Sequence, residues 1–267
     1  MGLAIRPRIL TTGSNQLAKR WAMVIFIEPR WPLKLRIMEF KKELVHGRLI
    51  KRYKRFLADV KLDDGSEVTA HCTNSGTMKS CLEADAEVWL TPVDDPRRKT
   101  KFTWEMIRIG GDWVGINTSN PNALAFEWVS GGIIPGLEGL KGLKREVKWE
   151  DSRFDLYGED ATGPCFIEVK NVTLKEGERA LFPDAVTERG RKHLNTLIRV
   201  KKAGMRAVML YVVQRMDVHL FSPARDIDPA YGKALNEAVR QGIEVIVVQA
   251  RVSPENITFH RTLPVKL

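Results

Sequence analysis

The chain has 267 residues, 43% of them hydrophobic, enough for one large domain or two modest ones. Three cysteines, Cys72, Cys81 and Cys165, at no zinc-type spacing argue against a disulfide framework or a structural zinc site and fit a cytoplasmic protein with reduced thiols; no apolar run is long enough for a membrane helix. The net charge of +10 points to a polyanion, but residues 1–37 carry seven Lys or Arg against Glu28 alone, so local clustering is the better guide.

Residues 1–37 show no clear period. They read as an extension, or as upstream sequence with the natural start at Met38, and are expected to be poorly ordered. Residues 38–118 read as one small all-β domain. Val45 to Lys61 forms a long strand region, and Asp63-Asp64-Gly65 signals a hairpin turn leading into Ser66 to Cys72. Glu87 to Val93, Phe102 to Ile109 and Trp113 to Asn117 follow, the last two around Gly110-Gly111-Asp112. Five short strands fit a closed barrel of the OB type.

Residues 119–267 read as an α/β domain. Ser119-Asn120-Pro121 starts a helix that stops at Gly131-Gly132. Ile133 to Gly142 is glycine-rich and is expected to be a loop. Strands are expected at Lys144 to Trp149, Arg153 to Tyr157 and Cys165 to Thr173. A helix over Glu188 to Lys202, capped by Thr187, precedes the apolar strand Arg206 to Gln214. A last helix, Pro229 to Gln241, precedes the strand Ile243 to Ala250.

Chemistry concentrates in Asp155 and in Glu168-Val169-Lys170. Strand alternation puts Glu168 and Lys170 on one face, and a hairpin symmetric about residues 161 and 162 sets Asp155 opposite Glu168. Facing carboxylates destabilise a sheet unless a cation sits between them, and hard oxygen ligands suit Mg2+ or Mn2+. Asp155 and Glu168 are therefore candidate metal ligands and, with Lys170, candidate catalytic groups. Their order resembles the PD-(D/E)xK nuclease motif, and Glu127 on the preceding helix matches an extra acidic position of some branches. Glu-x-Lys alone is common on exposed sheet faces; the upstream Asp and flanking helices single this one out.

Two clusters point to nucleic acid. Arg48, Arg52, Lys54 and Arg55 surround Tyr53 and Phe56, combining cations for phosphates with rings for bases. Arg189 and His193 share a helix face with Lys192 beside them, near a helix start suited to phosphate.

Longer segments carry a family resemblance. Arg52-Tyr53-Lys54-Arg55-Phe56-Leu57-Ala58-Asp59-Val60, His71 through Met78, Phe166 through Leu174, Phe182-Pro183-Asp184 through Leu194, and Phe221-Ser222-Pro223-Ala224-Arg225 resemble signatures of the sugar fermentation stimulation protein A family, with Ser75 where Thr is more usual. The resemblance runs from about Met38 to Leu267. It implies an OB-like barrel followed by a PD-(D/E)xK nuclease-like α/β domain. It also implies DNA binding, more than RNA, linked to sugar and especially maltose genes. Two functions stay open: a metal-dependent phosphodiesterase, or a DNA-binding regulator that reuses a nuclease fold without cleaving.

Overall fold

A computed structural model of the chain describes residues 37–267. The expectation for residues 1–36 lies outside that range. Strand β1 (Ile37–Glu39) opens it, followed by β2 (Val45–Tyr53), β3 (Leu57–Leu62), β4 (Glu67–His71), β5 (Glu87–Pro92), β6 (Phe102–Ile109) and β7 (Asp112–Gly115). Then come α1 (Asn120–Ser130), β8 (Lys141–Trp149), β9 (Ser152–Asp160), β10 (Gly163–Val172), β11 (Leu174–Glu176), β12 (Arg179–Phe182) and α2 (Glu188–Lys202). β13 (Arg206–Val213), β14 (Leu220–Pro223), α3 (Pro229–Arg240), β15 (Glu244–Val252) and β16 (Asn256–Thr262) complete the chain.

The barrel has five strands, though not the five the sequence pattern implies. Val45 to Lys61 is a hairpin, β2 and β3, folded over at Lys54 to Phe56 with Tyr53 opposite Leu57. The order is β4-β3-β2-β5-β6, and parallel pairing of β4 with β6, at Ala70↔Phe102 and His71↔Thr103, closes the ring. β7 continues from β6 outside that closure. Alternation drives the packing: Ala58 and Val60 of β3 and Val88 and Leu90 of β5 point into a core around Trp104, Ile107 and Val114.

The second domain is built on a seven-stranded sheet in the order β1-β16-β15-β13-β10-β9-β8. Its centre, β10-β13-β15, is parallel. β13 is buried along almost its whole length, as a strand covered on both faces must be. α1 covers one face through Leu124 and Trp128; α2 and α3 cover the other through Leu194, Leu197 and Leu235. β1 belongs to this sheet and not to the barrel, so the chain crosses from one domain to the other before Val45. The stretch expected as a loop through Gly142 already enters β8 at Lys141. A small sheet, β11-β12-β14, was not apparent in the sequence pattern.

Arg206 ties the start of β13 to its surroundings. Its guanidinium reaches Asp160 at 2.8 Å, Glu244 at 2.6 Å and the Gly136 carbonyl at 2.6 Å. Arg206→Ala leaves two carboxylates without their shared cation. Unfolding in urea should show a loss of about 2 kcal/mol, below the full cost of a deeply buried pair because Glu244 is partly solvated.

Candidate active site

The β9–β10 hairpin has the expected symmetry, with Asp160↔Gly163 through Leu156↔Ile167. The ladder stops one pair before Asp155 and Glu168. There the Val169 N–H donates to Asp155 Oδ2 at 2.8 Å, and the Asn122 amide of α1 donates to Asp155 Oδ1 at 2.7 Å. A side chain thus takes the place of a backbone acceptor, and the strands part around the two carboxylates. Both line a cleft of about 480 Å³ together with Asn122, Lys170, Asn171, Asp184 and Arg189.

The electrostatics of the pair are unequal. Burial and then the Glu168 charge push the Asp155 carboxyl up to about 6, against the opposing Val169 N–H, Lys170 and Asn122. Burial also works on Glu168, but the His193 hydrogen bond and the charges of Lys170 and His193 outweigh it and hold Glu168 below its ordinary value. Lys170 Nζ lies 2.5 Å from Glu168 Oε1 and 3.3 Å from His193 Nδ1, and His193 Nδ1 bonds the same oxygen. Arg189 Nε donates to His193 Nε2 at 3.3 Å. Thr187 caps α2 by accepting from the Gly190 N–H, which sets this helix end against the cleft.

Asp155 and Glu168 offer hard oxygen donors of the kind Mg2+, Mn2+ and Ca2+ take. Among the described residues no group of three or more His, Cys, Asp or Glu converges as a metal site. Two carboxylates with water and substrate phosphate filling the remaining positions still fit Mg2+, which is commonly held that way.

The structure brings together Asp155, Glu168, Lys170, Arg189 and His193, and separates other residues from them. Glu127 is exposed and does not line the cleft; Arg145 is its nearby cation, while partial burial pushes its carboxyl up. It follows Asn122 by five residues, about 140° around the helix, so α1 can present only one of them to the site. Lys192 turns away to Asp151 at 3.0 Å. Arg48 Nη1 donates to the Asp85 carbonyl, and the Tyr53 hydroxyl donates to Asp59.

Arg52 is a brace. Its Nη2 donates to the carbonyls of Arg55, Asn74 and Gly76 at 2.8–2.9 Å. It therefore joins the β2–β3 tip to the loop after β4. Lys54 and Arg55 form that tip, both with positive φ, and Phe56 follows, half-exposed. Arg55 and the loop Thr73 to Gly76 line the same cleft as the carboxylates, so the site has walls from both domains. Thr77 Oγ1 donates to the Asp184 carbonyl, and a Cβ on Gly76 would fall 1.8 Å from the Asp184 carboxylate. The sequence pattern assigns the loop Asn74 to Met78 no role in the site and does not single out Asn122 or Asp184. The signal available was the loop's place in a family signature.

Comparison with known proteins gives a consistent result. A family model described as SfsA N-terminal OB domain matches residues 50–116, and one described as Sugar fermentation stimulation protein RE domain matches residues 119–256. The sugar fermentation stimulation protein homolog of Geobacter metallireducens is 50% identical over 232 residues, 86% of this chain and 100% of that protein. That of Pelobacter propionicus is 50% identical over 225 residues, 84% of this chain and 98% of that protein. The structure of Pyrococcus furiosus SfsA in complex with Ca2+ superposes with a TM-score of 0.79 at 26% identity, covering 87% of this chain and 99% of that one.

Proposed function

The chain belongs to the sugar fermentation stimulation protein family, and from that premise we propose that it binds DNA and hydrolyses phosphodiester bonds with the help of Mg2+ or Mn2+. One observation carries the reading: a buried and a partly buried carboxylate and a lysine meet where the β9–β10 ladder is interrupted, inside a cleft walled in part by the barrel. Asp155 and Glu168 would hold the ion, which supplies charge to polarise the phosphate and activate water. That the relative from Pyrococcus furiosus is in complex with Ca2+ supports a divalent cation here.

The protein's own groups do the rest. Asn122 and the Val169 N–H fix both Asp155 oxygens, so that carboxylate is already oriented. Lys170 places an ammonium where negative charge develops as water adds to phosphorus and the bond to the leaving sugar oxygen breaks. His193 holds Glu168 and is itself held by Arg189. The link to sugar genes, maltose genes foremost, is part of this proposal as a consequence of DNA binding. The three thiols are unpaired and buried, which fits a reducing cytoplasm. Among the described residues no helix is long and apolar enough to cross a membrane.

A second reading has its own support. Glu168 Oε1 already takes both Lys170 and His193, so side-chain donors of the chain itself engage that oxygen. This favours a DNA-binding regulator that reuses the fold without cleaving. Incubation of labelled single-stranded, duplex and branched DNA and of RNA with the protein and Mn2+ or Mg2+ separates the two. Metal-dependent products support hydrolysis; salt-sensitive binding with no products from any substrate supports the regulator.

The pH dependence of stability tests the carboxylate pair directly. Asp155 titrates near 6 when folded and near its ordinary 3.8 when unfolded. The folded state holds the extra proton between those values, so stability falls by roughly 2–3 kcal/mol as pH rises from about 4 to about 6. Divalent cations bind the deprotonated pair, so Mg2+ should raise Tm more at pH 7.5 than at pH 5. Asp155→Asn should flatten the pH slope and remove the cation shift, both read by thermal melts.

A further inference from the structure

We propose that Arg55, carried by the barrel, is the phosphate clamp of the α/β domain's cleft, so that neither domain alone holds a complete site. The inference rests on the nucleic-acid reading above and adds a substrate-touching residue from the other domain.

Three observations support it. Arg55 lines the cleft that contains Asp155, Glu168 and Lys170. Among the described residues the other cleft cations are engaged, Lys170 with Glu168 and Arg189 with His193, whereas the Arg55 side chain has no acidic partner. A planar guanidinium without an acidic partner, in a cleft read as taking a phosphodiester, is suited to a bidentate grip on phosphate.

The second observation is conformational. Lys54 and Arg55 have φ of 48° and 63°, in the left-handed region that hairpins normally fill with Gly or Asn. Glycine fills such places at Gly65 after β3 and at Gly110 and Gly111 between β6 and β7, and Met78, Asp85, Glu146 and Glu150 each take positive φ singly, but among the described residues only this tip sets two adjacent non-glycine residues there. At this tip the chain accepts strain and keeps two cations. Two adjacent left-handed residues that are not glycine, beside a cleft, mark positions kept for their side chains.

The third observation is the scaffold. The same Arg52 Nη2 that bonds the Arg55 carbonyl also bonds Asn74 and Gly76, and Gly76 packs on Asp184 of the opposite wall. The tip is thus fixed relative to the carboxylates before substrate arrives, as a positioning group must be.

The test exploits the strain. Arg55→Gly suits the backbone better than arginine, so the variant should fold with an unchanged or higher Tm. The full chain, Arg55→Gly and Lys170→Ala are compared for Tm, for affinity to a labelled single-stranded oligonucleotide in EDTA across a salt series, and for cleavage in Mn2+. The clamp predicts that Arg55→Gly loses about 10²-fold in cleavage rate, and that the slope of log affinity against log salt becomes shallower by about 0.7, one phosphate contact on a single strand. Lys170→Ala should lose cleavage while keeping the parent's salt slope. An Arg55→Gly protein that binds with the parent's slope and cleaves at the parent's rate overturns the proposal and leaves Arg55 a turn residue. If no protein cleaves, hydrolysis fails on its own, and the salt slope still decides: a shallower slope sustains the phosphate clamp, and an unchanged one removes it.

Discussion

Replacing Lys170 by alanine should lower metal-dependent cleavage on the order of 10³-fold while changing DNA affinity less than about threefold. The ammonium is largely buried and sits between Glu168 and His193, where charge is worth more than in water. Its contribution grows as negative charge builds on the phosphate, so the loss falls on the rate more than on ground-state binding. The fold should survive, because His193 still bonds Glu168 and Ile167 and Val169 still pack on the opposite face of β10. Single-turnover cleavage with excess protein, alongside a filter-binding titration, checks both halves. A parallel fall in affinity and rate would mean that Lys170 only attracts the polyanion.

The largest effect on stability is expected at Arg215. This side chain is 1% exposed and lies between the two domains. Nη1 donates to the Thr173 carbonyl at 2.6 Å and to Ser80 Oγ at 3.1 Å, while Nε and Nη2 grip Asp217. Gln249 donates to the Arg215 carbonyl, so the backbone is anchored as well. Arg215→Ala empties a buried volume and leaves the Thr173 carbonyl and Asp217 short of donors. Lys175 remains 2.6 Å from Asp217 and softens the loss. A cost of about 3–4 kcal/mol follows, or roughly 10 °C in Tm by calorimetry. The acid limb should move too. Burial works to raise the Asp217 carboxyl, but Arg215 and Lys175 bring it down to about 2. That contribution is present above about 4 and is lost as pH falls through about 2. Without Arg215 it shrinks, and the acid unfolding midpoint should rise.

Local rules made much of this legible. The period of two in β10 and a turn centred between residues 161 and 162 were enough to set Asp155 against Glu168. Thr187 at the start of α2 announced its cap. The β2–β3 turn was hidden because Lys54, Arg55 and Phe56 contain none of the residues that normally signal one, and the region read as a single strand. β11, β12 and β14 are three or four residues long, too short to show a period, and β12 is held by β14, about forty residues further on. Glu127 drew attention as a carboxylate, but helix geometry gives the site to Asn122, a residue with no charge to advertise it. Arg52 looked like a free cation, and only the folded chain shows the three carbonyls that occupy it.

The pairing of β1 with β16 bears on how the molecule is made. Ile37, Met38 and Glu39 are synthesised long before their partners Asn256, Ile257 and Thr258. The barrel, complete once β7 has emerged, can close while the nascent chain is still growing, whereas the outer edge of the large sheet stays unzipped until β16 has emerged. During that interval β1 is a strand without a mate, and once β15 is in place β16 must find both neighbours at once. A nascent-chain series arrested at increasing lengths should therefore show protease resistance arriving in two steps, first for the barrel and only once β16 has emerged for the sheet.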